Sequence, residues 1–184
     1  FIQGKVSKTL TDAILIEKFK NLKRDLRKLK IAHQISEIFN SLVRGEEKDE
    51  KIWNLLNETF QNLNANNLKS KTYALIYYYF FWKLLSFLGY QPQLYNCVLC
   101  QKKLTPENLY FSFQEGGIIC RLCFQKVRKG KEISPELIKI IRFILERDWS
   151  EVKKLKVGEH NFKTLKIISR HYLSSLPRLN FAQV

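Results

Sequence analysis

The chain has no methionine among its 184 residues, and its opening FIQGKVSKTL holds no initiator. A translated product begins with Met, so the sequence is expected to be a fragment whose beginning lies upstream. Acidic residues are few, 17 Asp and Glu against 32 Lys and Arg, giving a formal net charge of +15. That imbalance points to a polyanion, either nucleic acid or an anionic membrane surface. A lysine-rich, AT-biased genome, consistent with the abundance of Asn, Ile and Phe, is the competing explanation. Catalytic constellations are missing: there is no glycine-rich phosphate loop, no HExxH and no nucleophile elbow. Three histidines (His33, His160, His171) are scattered, and carboxylates gather only in the solvated EEKDE turn. A non-enzymatic protein is expected. No apolar run is long enough for a membrane span. TYALIYYYFFWKLLSFLGY (residues 72–90) comes nearest, but Lys83 near its middle would cost roughly 2.5–3.5 kcal/mol in a bilayer. The uncharged part, residues 72–82, is too short to cross. Apolar on all faces, the segment reads as a central core helix.

What is present suits a packed interior: 45% apolar residues, with 13 Phe, 8 Tyr and 3 Trp. The length allows one core, or one domain with a small accessory module. Short β-favouring runs, FIQG and DAILIE, occupy the first residues. From Phe19 the period becomes helical: Phe19, Leu22, Leu26 and Leu29, then Ala32, Ile35, Ile38, Phe39 and Leu42, predict one long amphipathic helix. His33 continues that stripe and reads as a core residue. Gly45 and the charged turn EEKDEK end it. A second helix, residues 51–63, carries Trp53, Leu56, Phe60 and Leu63 on one side. The loop NANN precedes the core helix, which Gly89 and Pro92 stop. Ser134 followed by Pro135 starts another helix, burying Leu137, Ile138, Ile141, Ile144 and Leu145. A last helix, residues 162–176, buries Leu165, Ile168, Tyr172 and Leu173, and Pro177 closes it. The fold class is mostly α: a helical domain with a cysteine module inserted between its helices.

All four cysteines stand in CVLCQKKLTPENLYFSFQEGGIICRLC (residues 97–123), as two CxxC pairs separated by 19 residues. A CxxC turn delivers two thiolates to one side of a tetrahedral Zn²⁺, and the second turn closes the other side. LYFSF (residues 109–113) reads as a strand, EGG (115–117) as a turn and IIC as the return strand, the logic of a zinc ribbon. A redox CxxC would stand near a βαβ pattern, which is absent, and paired disulfides would need an oxidising compartment. Cys97, Cys100, Cys120 and Cys123 filling all four positions would make one zinc ion structural rather than catalytic. Four thiolates and one dication would lower the charge to about +13.

Two basic clusters stand out. KFKNLKRDLRKLK (residues 18–30) holds seven basic residues and a single acid, Asp25. With the leucines inward, Lys20, Lys23, Arg24, Arg27, Lys28 and Lys30 take the flanks and outer face. Arg121, Lys126, Arg128, Lys129 and Lys131 follow the cysteines, with no acid before Glu132. A solvated face is the plain reading of either run, and two such runs in one basic chain favour phosphate contact. Phe19, Phe124 and Trp149 either stack bases or fill the core.

GYQPQLYNCVLC (residues 89–100) followed by FSFQEGGIICRLC (111–123), after a long helical region, resembles the RecO family of bacterial recombination mediators. In that family a helix ending Gly-Tyr-x-Pro leads into one CxxC, and a Phe-Ser strand and Gly-Gly turn precede the second. IEKFKNLKRDL (residues 16–26) is similar to the family's junction between an N-terminal OB-fold and the helical domain. The resemblance implies that residues 1–18 are the last strands of a truncated OB-fold, with a helical domain over 19–96 and 127–184 and a zinc module over 97–126. It implies Cys97, Cys100, Cys120 and Cys123 as structural zinc ligands. Where a knuckle turn usually places Gly after its second cysteine, Gln101 stands here; a left-handed non-glycine residue costs roughly 1–2 kcal/mol, tolerable beside a metal. The implied function is binding and annealing of single- and double-stranded DNA in repair, and helping RecA onto strands coated by single-strand-binding protein (SSB). The implied partners are RecR and the acidic, Phe-ended tail of SSB, in the bacterial cytoplasm near the nucleoid, with no membrane. A zinc-ribbon RNA-binding or ribosome-associated protein, and an interaction scaffold whose charge is only genomic bias, are the alternative readings.

Overall fold

A computed structural model describes residues 2–3, 8–9, 11–12, 14–15, 17–43, 49–66 and 70–176. Two short strands, β1 (Ile2–Gln3) and β2 (Lys8–Thr9), pair antiparallel. The helix expected from Phe19 to Leu42 is two helices, α1 (Lys20–Lys23) and α2 (Leu26–Leu42). Asp25 breaks it: its backbone is extended, and its carboxylate accepts from the Arg27 N–H at 2.8 Å, capping α2. The restart turns the stripe. Leu22, Ala32, Ile35, Ile38 and Leu42 are buried as expected, but Leu26 is 82% exposed. His33 is also corrected: it lies at the surface, 3.3 Å from Glu37 one turn on. The expected stop at Gly45 lies outside the described residues. Beyond it, Asp49 caps α3 (Glu50–Asn64), accepting from the N–H groups of Lys51 and Ile52.

The inward face of α3 differs by one residue from the sequence expectation. Ile52, Leu55, Thr59 and Leu63 are buried, Leu56 and Phe60 flank them, and Trp53 is 63% exposed. Both sets follow helical spacing and share Leu63; the aliphatic set packs deeper and the bulky indole stays outside. Thr59 tolerates burial because its hydroxyl donates to the Leu55 carbonyl at 2.6 Å.

The core helix α4 (Ser70–Phe87) is as expected. Phe80, Phe81, Trp82, Leu84 and Leu85 are fully buried, with α2 and α3 packed against the helix and α6 (Pro135–Glu146) also against it. Lys83, the residue at odds with a membrane span, donates to the Leu145 carbonyl at 2.9 Å, in the last turn of α6. A last-turn carbonyl lacks an intrahelical partner, and an ammonium is well suited to it. Burial holds the Lys83 pKa below its ordinary value, against the opposing pull of Asp148 and Glu58. The helix ends in a Schellman motif: Gly89 takes φ +82°, its N–H reaches Ser86 and the Tyr90 N–H reaches Leu85.

After Pro92 the chain enters the cysteine module. Strands β3 (Leu109–Ser112) and β4 (Gly117–Ile119) form the expected hairpin, in register Phe111 opposite Ile118. The short helix α5 (Arg121–Val127) follows. Strand β5 (Lys131–Ile133), not anticipated from sequence, pairs with the other edge of β3. Ser134 caps α6, accepting from the Leu137 N–H at 3.1 Å with Pro135 in the first turn. A one-turn helix α7 (Trp149–Val152) leads to α8 (Glu159–Ser175), which buries Leu165, Ile168 and Tyr172. Tyr172 lies against Trp82 at 5.7 Å between ring centroids, and its hydroxyl donates to the Tyr90 carbonyl. Tyr172 thus ties α8 both to the core helix and to the turn that launches the cysteine module. Pro177 lies outside the described residues.

Candidate metal centre and nucleic-acid surface

The two CxxC turns meet. All four sulfurs, of Cys97, Cys100, Cys120 and Cys123, lie within 4.8 Å of one another, and all four cysteines are free thiols. Sulfurs about 2.3 Å from one tetrahedral ion stand roughly 3.8 Å apart; Cys100 Sγ and Cys120 Sγ stand at 3.9 Å. The donor set therefore fits a thiophilic divalent ion with no position left for water or substrate. Cys97 and Cys123 are buried among Ile119, Val98, Leu104, Tyr110 and Phe124, a small cluster that Leu104 joins to the helical core. Tyr110 and Phe124 stack face to face, 3.6 Å between centroids.

Backbone geometry prepares this site. The Cys97–Gln101 turn closes with the Gln101 N–H on the Cys97 carbonyl at 2.8 Å, and Gln101 adopts φ +60°, the left-handed conformation expected from the knuckle pattern. Its side-chain amide donates to the Val98 carbonyl at 3.0 Å. The first knuckle is bound to the hairpin by Val98 N–H to Ile118 O and by Ile118 N–H to Gln93 O. Gly117 permits that approach: a β-carbon there would lie 2.5 Å from the Gln93 carbonyl oxygen. Burial pushes the Cys97 thiol up, but backbone N–H groups of Cys100, Cys120 and Leu99 outweigh it and bring its pKa to about 6. Burial, reinforced by the neighbouring sulfurs, pushes Cys123 up to about 12. One thiolate forms readily here, while a second resists ionising unless a cation offsets the crowded charge.

Of the basic residues picked out from sequence, Lys20, Lys23, Arg24, Arg27, Lys30, Arg121, Lys126, Arg128, Lys129 and Lys131 are exposed. Lys28 is corrected: it is 5% exposed, and its ammonium donates to the Ala65 carbonyl at the end of α3, 2.6 Å away. The α1–α2 break brings Arg24, Arg27 and Lys28 around a cleft of about 350 Å³ shared with Asn21, Asp25, Asn66 and Tyr73. Arg27 pairs with Asp25 at 3.3 Å and lies 5.5 Å over the Tyr73 ring. The Arg27 side chain holds the Asp25 carboxyl below its ordinary pKa. Asn21, Asn66 and Tyr73 carried no signal in the sequence, because three separate segments supply them. Lys102 and Lys103, also exposed, flank the first knuckle; the KK pair directly after Gln101 could have announced them. Of the aromatics, Trp149 is buried, while Phe19 and Phe124 are half-buried against Phe60 and Tyr110. No helix among the described residues is long and apolar enough to cross a membrane.

Residues 23–176 match the family described as recombination protein O, C terminal. The chain is 33% identical over 145 residues to the DNA repair protein RecO of Thermoanaerobacter sp., covering 78% of this chain and 56% of that protein. It is 30% identical over 168 residues to the protein of that name from Dehalococcoides mccartyi, covering 91% of this chain and 64% of the relative. With the one from Alkaliphilus metalliredigens the identity is 29% over 167 residues, 90% of this chain and 66% of the relative. The chain thus spans between a little over half and about two thirds of the curated relatives it matches. With the match running from α1 through both knuckles to the end of α8, the chain belongs to the recombination protein O C-terminal family.

Proposed function

We propose that this chain is the zinc-stapled, DNA-contacting part of a non-enzymatic mediator of DNA repair. The observation that carries the reading is the similarity over residues 23–176 to proteins named for DNA repair, on a chain that exposes ten of its eleven sequence-selected basic residues. Zn²⁺ is the ion that suits a closed set of four thiols. When bound it supplies cross-linking and no chemistry on a substrate; Cys97, Cys100, Cys120 and Cys123 would hold it. Exposed cations on α1, α2 and α5 contact phosphates and release counterions. The antiparallel pair β1 and β2 is read as part of an OB-fold.

In the full mediator, the partners are RecR, SSB and, through them, RecA, in the bacterial cytoplasm. An acidic tail ending in Phe needs an apolar pocket with cationic groups. A cleft of about 400 Å³ beside α3 combines Leu55, Tyr79 and Phe87 with Lys51 and Lys83, and Glu58 and Asp148 on the same lining limit how much acid it accepts. Strand annealing tests the function. The chain should speed pairing of two complementary labelled strands, and Lys23→Glu with Lys126→Glu and Lys129→Glu should slow it. Annealing no faster than without protein would overturn the reading.

A further inference from the structure

The two knuckles, CVLC and CRLC, carry a leucine at the same place, and neither leucine belongs to either apolar core. Leu99 is 38% exposed and Leu122 is 66% exposed. The module's own small core takes Val98, Ile119, Leu104, Tyr110 and Phe124 and leaves both leucines out. Each adjoins a metal-ligating position, Cys100 and Cys123, whose sulfurs lie within 4.8 Å of each other, so the two leucines stand on turns that meet at one thiol cluster. Around them the exposed charges are of one sign: Lys102 and Lys103 follow the first knuckle, Arg121 precedes Leu122, and Lys126 lies one turn beyond it on α5. The module's acids, Glu107, Glu115 and Glu132, belong to the hairpin loops and β5 instead.

We infer that Leu99 and Leu122 form an apolar platform for unpaired bases of single-stranded nucleic acid, with Lys102, Arg121 and Lys126 holding the flanking phosphates. The inference rests on the DNA-binding reading and deepens it by naming what the zinc module touches. Apolar side chains take unstacked bases on their faces, and the leucines offer no hydrogen bond by which to select one base. Electrostatics orients the strand. Cys97, Cys100, Cys120 and Cys123 as four thiolates on one dication would leave the cluster net negative, which would favour an uncharged base beside it and phosphates at the cationic residues. A duplex presents phosphates outward and keeps its bases stacked, so it cannot use the platform.

The test compares three probes with the intact chain at fixed salt: an oligothymidine, an abasic strand of the same length, and a duplex. The native chain should prefer oligothymidine to the abasic strand by roughly fivefold to tenfold. Leu99→Ala with Leu122→Ala should abolish that preference while leaving duplex affinity, salt dependence and zinc content unchanged. Leu99→Met with Leu122→Met should retain it. A preference that survives in the double alanine variant, or the absence of any preference in the native chain, overturns the platform while DNA binding stands. Equal loss on all three probes would also overturn it, since bases would then not be what the leucines touch. If the native chain binds none of the probes even at low salt, the DNA-binding reading falls and takes the platform with it.

Discussion

Gln101 holds a backbone conformation that favours glycine, φ +60°, and offsets part of the strain with a side-chain bond to Val98 O. Gln101→Gly is therefore expected to stabilise the metal-loaded protein by up to about 1 kcal/mol, read as a small rise in thermal midpoint; a fall would mean the amide bond outweighs the strain. Gly117 is the opposite case. Gly117→Ala would press a methyl group against the Gln93 carbonyl and lift the first knuckle from the hairpin, so zinc should be lost to a chelator markedly faster than from the native chain. Retention at the native rate would contradict that account. Both cysteine pairs and the strained Gln101 were legible from spacing, because a four-thiolate ion dictates local geometry. Lys28 was not. Its burial depends on where Asp25 restarts the helix and on a carbonyl of another helix, Ala65 O. Lys28→Met should lower stability by about 1–2 kcal/mol while leaving the salt dependence of DNA binding unchanged. A changed salt slope with unchanged stability would return Lys28 to the phosphate contacts.

At the scale of elements, α4 was the easiest to read and α1–α3 the hardest. A helix apolar all round has no register to mistake, whereas an amphipathic helix with a second set of apolar residues one position away can rotate, as α3 does in leaving Trp53 outside. Strand β5 is three residues long and follows a basic run, so no alternation could announce it. Lys83 adds a polar tie to the apolar packing of α4 on α6: its ammonium serves the Leu145 carbonyl while burial depresses its pKa below 10.5. For a base whose folded pKa is depressed, the unfolded chain binds more protons between the two pKa values, so stability rises with pH across that window. The stability of the native protein relative to Lys83→Met should accordingly rise with pH through the alkaline window that ends at the ordinary lysine value of 10.5. A difference that is flat or falls with pH in urea unfolding would contradict this placement of the ammonium.

For the whole molecule, the two cores assign separate roles. The large core runs through α2, α3, α4, α6 and α8 and also takes Leu109, Phe111 and Ile118 from the hairpin, while the thiols have only a small apolar shell of their own around Ile119. A segment of about 27 residues cannot bury enough on its own; its hairpin leans on the helices through Phe111 and Ile118, and its two knuckles depend on the staple. Removing zinc from the loaded protein with a chelator is expected to leave far-UV helicity largely intact while hydrogen exchange accelerates at the knuckle amides of Val98, Gln101 and Phe124; collapse of the helical signal would show that the knuckles hold up the large core as well. The central claim, that this surface holds single-stranded DNA through its phosphates, is tested most directly by titrating the chain into a labelled oligonucleotide at several salt concentrations. Log affinity should fall linearly with log salt at about −0.7 per phosphate contacted, and reversing Lys20, Lys23 and Lys30 should flatten the slope by about 2. Binding that ignores salt, or a slope untouched by that reversal and by the reversal of Lys126, Lys129 and Lys131, would contradict it.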